Sequence, residues 1–158
     1  MSFVLLGLLA SPPSISEVSF SKTISMENQT LSLCGDSVVK AYRIFTVAYA
    51  GFYREQCDLS WDIDREEARY LEFHYQREVP SRAFRESSEV ILQRNLSLSD
   101  DELSLLREFN SAYLEVDDGD KYQLLYIPEN GLRLMLNGKQ LAVLQSPKLA
   151  RHYFAVWF

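Results

Sequence analysis

The stretch SVVKAYRIFTVAYAGFYRE, residues 37–55, constrains this chain more than any other. It is a long, nearly loop-free run rich in β-branched and aromatic residues, the composition that suits a pleated sheet. Read as one extended segment, it puts Val38, Lys40, Tyr42, Ile44, Thr46, Ala48, Ala50 and Phe52 on one face. Val39, Ala41, Arg43, Phe45, Val47, Tyr49, Gly51 and Tyr53 share the other. Both faces are largely apolar, so both are expected to be covered. Ala48, Ala50 and Gly51 are small enough to let the strand bend or a neighbour pack closely.

The flanking segments supply the other elements. VSFSKTIS (18–25) and QTLSLCG (29–35) alternate as strands do, and YLEFHYQ (70–76) alternates cleanly. In the last of these, Leu71, Phe73 and Tyr75 face inward while Glu72, His74 and Gln76 face outward. After Pro80 the period changes. Phe84, Ser88, Ile91 and Leu92 recur at helical spacing. Ser99 followed by Glu102 forms the capping-box pattern of a second helix, with Asp100 and Asp101 at the positive end of its dipole. Leu103, Leu106, Phe109 and Tyr113 make its buried stripe. KYQLLYI and LRLML flank the turn PENG, and Asn137-Gly138 is a two-residue hairpin signal before KQLAVL. SPKLARHYFAVWF closes the chain as a short helix, with Ser146 as cap and Pro147 at its first position. Strands, two helices, strands and a helix predict an α+β domain: an antiparallel sheet with helices packed on one face.

Composition narrows the partners. The 158 residues fit one domain, and 47% hydrophobic content supports a real core. A net charge of −6 disfavours nucleic acid as a partner and argues mildly against anionic membrane surfaces. Two histidines and two separated cysteines are too few for a Cys/His metal cluster. No phosphate-binding or dinucleotide fingerprint occurs, so no cofactor is expected. Cys34 and Cys57 are either small buried apolar residues, the commoner case, or a disulfide in an oxidising compartment.

The apolar run Phe3–Ala10 is far too short to span a bilayer and lacks the basic residues of a signal-peptide leader. A degenerate signal peptide, a first strand and an unstructured end are the three readings. The first divides the chain into an N-terminal segment and linker, 1–16, and a domain, 17–158. It implies a periplasmic or secreted location; without cleavage the location is cytoplasmic.

Order and wording together resemble the bacterial chalcone isomerase-like family. The matching pieces are TVAYAGFY, YLEFHYQREVPSRAF leading into a helix, GDKYQLLYIPENGLRLMLNGKQLA and the closing YFAVWF. The resemblance runs from about residue 18 to the end. It implies an open-faced β-sandwich, with helices on a curved antiparallel sheet. It also implies a cleft between sheet and helices that either closes a chalcone ring or holds a fatty acid. In the family an arginine stands near the start of the long strand. Counting back thirteen positions from Tyr53 puts Lys40 there. A lysine keeps the charge but loses the planar fork, so the resemblance implies binding more readily than ring closure.

The candidate ligand-binding residues are therefore Lys40, Tyr42, Thr46 and Arg43. A cation, a phenol and a hydroxyl on one strand face suit a carboxylate beside an apolar tail. The competing reading is a strand-end lysine reaching for water while Tyr42 and Thr46 pack the sheet. His74 and His152 have no Ser or Cys partner of a triad. The aromatics Tyr122, Tyr126, Tyr153, Phe154, Trp157 and Phe158 fit either a lipid-accepting wall or plain core. The expected activity is non-catalytic binding of a fatty acid or similar amphipathic molecule. An isomerase acting on an enone and a protein-interaction domain without a cleft are the alternatives.

Overall fold

In a computed structural model, the described residues are 18–41 and 44–156. The expectations for segment 1–16, Tyr42, Arg43, Trp157 and Phe158 lie outside them. Seven strands form one antiparallel sheet in sequence order: β1 (Thr23–Met26), β2 (Gln29–Ala41), β3 (Phe45–Arg54), β4 (Arg69–Tyr75), β5 (Lys121–Ile127), β6 (Gly131–Leu136) and β7 (Lys139–Leu144). The sheet curls into a half-barrel. Helices α1 (Ser81–Asn95) and α2 (Asp100–Asn110) follow β4, and α3 (Pro147–His152) with a 3-10 turn (Tyr153–Val156) follows β7.

Local signals place several boundaries. Ser99 Oγ accepts from Glu102 N–H at 3.1 Å, and the Glu102 carboxylate accepts from Ser99 N–H at 3.0 Å, completing the capping box. Ser146 caps α3 and Pro147 occupies its first turn. Asn137 and Gly138 have φ of 51° and 82°, the left-handed pair that a tight hairpin requires.

The run 37–55 is not a single strand. It is the β2–β3 hairpin: Val38 pairs with Tyr49, Val39 with Ala48 and Lys40 with Thr46. Ile44 N–H donates to the Ala41 carbonyl at 3.2 Å, closing the reversal. No glycine, proline or asparagine marks this turn, and the alternation runs straight through it. A register shift between Val39 and Lys40 adds a bulge.

A second bulge, between Leu33 and Gly35, bends β2. The β1–β2 hairpin then leans across the face opposite the helices. Its tip reaches three strands beyond β3: Arg133 Nη1 donates to Glu27 Oε1 at 2.6 Å. Leu31, Tyr53, Ala68, Tyr70, Leu125, Ile127 and Met135 form a smaller core there, flanked by Phe20, Ile24, Met26 and Leu33. The face of β3 opposite the helices is thus covered towards Tyr53.

The main core lies under the helices. Leu71, Phe73 and Tyr75 of β4 point into it, as the alternation predicts. Phe84 of α1 stacks on Tyr113 at 5.1 Å between ring centroids, and Tyr122 meets both rings edge-on at 5.0 and 5.3 Å. Tyr75 adds edge contacts to Phe84 and Tyr122 at 5.6 and 6.0 Å. Tyr122, Tyr126, Tyr153 and Phe154 are all buried, so these aromatics are core.

Candidate functional site

The space between sheet and helices is filled over β4–β6 by these rings. It stays open over β2–β4. The helices pack mainly on one another, on the 3-10 turn and on β6 and β7. An apolar groove of about 370 Å³ remains on the helix-side face near the β2 edge. Val39 and Ser37 of β2, Ala50 and Phe52 of β3, and Leu71 and Phe73 of β4 line it, with Cys34, Gly35 and Asp36 at its rim. The volume falls in the ordinary range for small-molecule sites, about 300–1,000 Å³.

The side chains reach the groove by strand periodicity. Register pairs Gly35 with Phe52, Ser37 with Ala50 and Val39 with Ala48, so residues 35, 37 and 39 share the groove face. Small residues at 35, 37 and 50 leave the hollow, and a β-carbon at Gly35 would meet nothing within 4 Å. Among the described residues the lining carries no cation and no histidine.

Cys34 at the groove's rim is bonded to Cys57, with Cα atoms 5.1 Å apart. Cys57 is exposed and Cys34 half-buried, so the reading as small buried residues gives way to a disulfide. The bond ties β2 to the segment 55–68, which carries Trp61. The Trp61 ring meets Phe52 edge-on at 5.4 Å.

Lys40 and Thr46 form a cross-strand pair at the tip of the β2–β3 hairpin, Lys40 exposed and Thr46 half-buried. The structure brings these two together, next to Val39 but outside the groove lining.

Two buried arginines lie beside Trp61, and their positions within strands gave no signal as candidates. Arg54 Nε donates to Glu67 Oε1 at 2.7 Å, and Nη1 donates to the Leu59 carbonyl at 2.8 Å. Arg69 is fully buried. Its Nη2 donates to the carbonyls of Asp62, Ile63 and Arg65 at 3.1, 2.8 and 2.7 Å. Burial lowers the Arg69 pKa, an effect opposed chiefly by Glu67. The signal that could have found them is parity. Arg54 extends the inward row Ala48–Ala50–Phe52, and Arg69 begins the inward row Leu71–Phe73–Tyr75.

On the opposite face, His74 Nε2 and Glu72 Oε1 are hydrogen-bonded at 2.5 Å, and Tyr70 O–H donates to Glu72 Oε2 at 2.7 Å. The His74 bond holds the Glu72 carboxyl below its usual value against the opposing effect of burial. Phe20 packs on His74 at 4.8 Å.

The chalcone isomerase-like family model matches residues 12–158. The chain belongs to the chalcone isomerase-like family. No curated protein matches the chain. Among solved structures, it is similar to a fatty-acid binding protein of Arabidopsis thaliana, at 15% identity and a TM-score of 0.69, covering 89% of this chain and 84% of that one. That likeness establishes the fold: the curled sheet and its helices have the chalcone isomerase-like arrangement, as the sequence resemblance implies.

Proposed function

We propose that this chalcone isomerase-like domain binds an amphipathic small molecule with an alkyl chain, a fatty acid or a close analogue, in the groove over β2–β4. The observation that carries this reading is an open hollow walled by Val39, Ala50, Phe52, Leu71 and Phe73, beside a stretch of the sheet over β4–β6 that is packed with rings. Each methylene transferred into it contributes about 0.8 kcal/mol. The fatty-acid binding function of the structurally similar Arabidopsis protein supports the same ligand class. Lys40 and Thr46, with their sequence neighbours Tyr42 and Arg43, enter the proposal as groups that attract an acidic molecule at the hairpin tip.

The Cys34–Cys57 disulfide supports an oxidising location, periplasmic or secreted, for the domain. Such a location would suit a carrier of poorly soluble lipids.

Native mass spectrometry of delipidated protein titrated with dodecanoate and dodecanol tests the reading. One-to-one adducts that a bulky Ser37→Phe substitution abolishes support it. No adduct with either molecule overturns it.

A further inference from the structure

Strand β2 runs well past the strand that covers its outer edge. β1 pairs with Gln29, Thr30, Leu31 and Ser32, and Leu33 N–H donates to the Lys22 carbonyl. Beyond the bulge, residues 35–41 pair with β3 alone. The chain before β1 does not continue along this edge. Tyr53 O–H donates to the Ser21 carbonyl at 2.7 Å, and Phe20 lies against Gly51 and His74, so the chain crosses the face opposite the helices instead. Among the described residues the outer edge of 35–41 therefore has no strand partner. Such an edge presents a row of unpaired N–H and C=O groups to any strand that fits.

The side chains say which strand fits. Asp36, Val38 and Lys40 alternate onto one face, opposite the groove, and all three are exposed, Val38 by 45%. Asp36 and Lys40 have no ion-pair partner among the described residues. An antiparallel copy of the same strand, centred on Val38, sets Asp36 of each chain opposite Lys40 of the other. Two opposite-charge pairs then flank a Val38–Val38 contact. A slip of two residues either way sets Lys40 opposite Cys34 or Val38, and both charges lose their partners. On the other face the same register sets Ser37 opposite Val39 and Gly35 opposite Ala41, side chains small enough to meet without a clash.

We propose that the β2 edge, residues 35–41, pairs antiparallel with the same edge of a second copy of this chain to form a two-fold dimer. The contact is isologous, so it closes at two copies rather than growing into a fibre. It extends the seven-stranded sheet into one of fourteen, built from two copies of the observed seven. Cys34, Gly35, Asp36, Ser37 and Val39 line the groove, so the dimer seam runs beside it and the two grooves become neighbours on one face. The pairing itself does not depend on what the groove holds.

Sedimentation velocity of the full chain from low to high micromolar concentration tests the dimer, and a charge swap tests its register. Asp36→Lys and Lys40→Asp each turn two attractive pairs into two repulsive ones, and each should weaken dimerisation by at least about tenfold. The double variant Asp36→Lys/Lys40→Asp restores both pairs and should regain wild-type affinity to within about threefold. Both positions are exposed, and equal thermal midpoints at dilute concentration confirm that the monomer fold is intact. Val38→Cys gives a readout independent of affinity. Cys34 and Cys57 are bonded to each other, so the new thiol is the free one, and oxidation should link it to its symmetry mate. A protein that stays monomeric throughout overturns the proposal and leaves the edge to the N-terminal segment or to a peptide of another protein. A dimer indifferent to the single substitutions, a double variant no better than either, or a Val38→Cys protein that oxidation does not cross-link overturns it as well.

Discussion

Phe20 and Gly51 touch across the face of the sheet opposite the helices. A β-carbon built at position 51 would fall 2.6 Å from Phe20 Cδ1 and 2.8 Å from its Cγ. The glycine thus makes room for the ring that packs on His74 and joins the smaller core. Gly51→Ala is expected to displace Phe20 and destabilise the domain by about 1–3 kcal/mol, the cost of overpacking. Urea unfolding of Gly51→Ala, Phe20→Ala and the double variant checks it. The two losses should be strongly non-additive, and simple additivity would disprove the contact.

The disulfide should carry a measurable share of stability. Cys34 and Cys57 are 23 positions apart in sequence, and a cross-link closing a loop of this order stabilises by about 3 kcal/mol in the chain-entropy view. Cys34→Ser with Cys57→Ser is expected to lower the urea midpoint accordingly. Wild type unfolded in a reductant should match the double variant. Equal midpoints with and without reductant would contradict the bond.

The elements that local chemistry dictates were legible in the sequence. The capping box at Ser99, the Ser146-Pro147 start, the Asn137-Gly138 turn and the inward row Leu71–Phe73–Tyr75 each follow from a few adjacent residues. The β2–β3 reversal was not legible, because Ala41 to Phe45 has none of the residues that punctuate turns and keeps a strand-like composition. A one-strand reading placed Lys40 and Thr46 three residue pairs apart on one face, whereas pairing sets them side by side at a tip. The groove was hidden for a different reason. It exists because rings fill one half of the sheet–helix space and small residues line the other, and that division depends on how distant strands and helices meet. Nothing local announces that residues 59–65 fold back over Arg54 and Arg69, whose guanidinium groups donate to carbonyls of that segment.

Alkaline pH should unfold the domain in a tyrosine-dependent way. Burial raises the pKa of Tyr70, Tyr75, Tyr113 and Tyr153, and pushes Tyr122 up to about 12. In the unfolded chain these phenols ionise near 10. The neutral form is therefore favoured by folding, and this contribution is fully present below pH ~10 and lost as pH rises beyond it. Stability measured against pH should fall steeply above ~10, with cooperative appearance of phenolate absorbance. Tyr113→Phe, which removes a fully buried phenol but keeps the ring stacked on Phe84, should make the fall shallower. An unchanged slope would count against it.

The acid limb has its own group. The His74 hydrogen bond keeps Glu72 below its ordinary value, with Tyr70 donating to the same carboxyl. A depressed carboxyl contributes stability above its unfolded pKa, near 4.3, and that contribution disappears as pH falls through the folded value. Glu72→Gln should flatten the stability profile on the acid side and leave the alkaline side unchanged. Thermal midpoints collected across the acid range decide this, and parallel wild-type and variant profiles would refute it.

Filling the groove separates its role from that of the fold. Ser37 is exposed, lies opposite Ala50 and faces the hollow, so a larger side chain there enters empty space rather than packed core. Ser37→Phe also replaces a weak strand former with a strong one. Unfolding stability should therefore stay within about 1 kcal/mol of wild type or rise slightly. Uptake of an alkyl ligand should nonetheless be lost, because the ring occupies the volume beside Phe52 and Phe73 that the chain would fill. Titration of the variant with dodecanol, whose head group carries no charge, isolates this steric effect from any contribution of arginine or lysine. Undiminished dodecanol binding by a folded Ser37→Phe protein would place the ligand elsewhere on the domain.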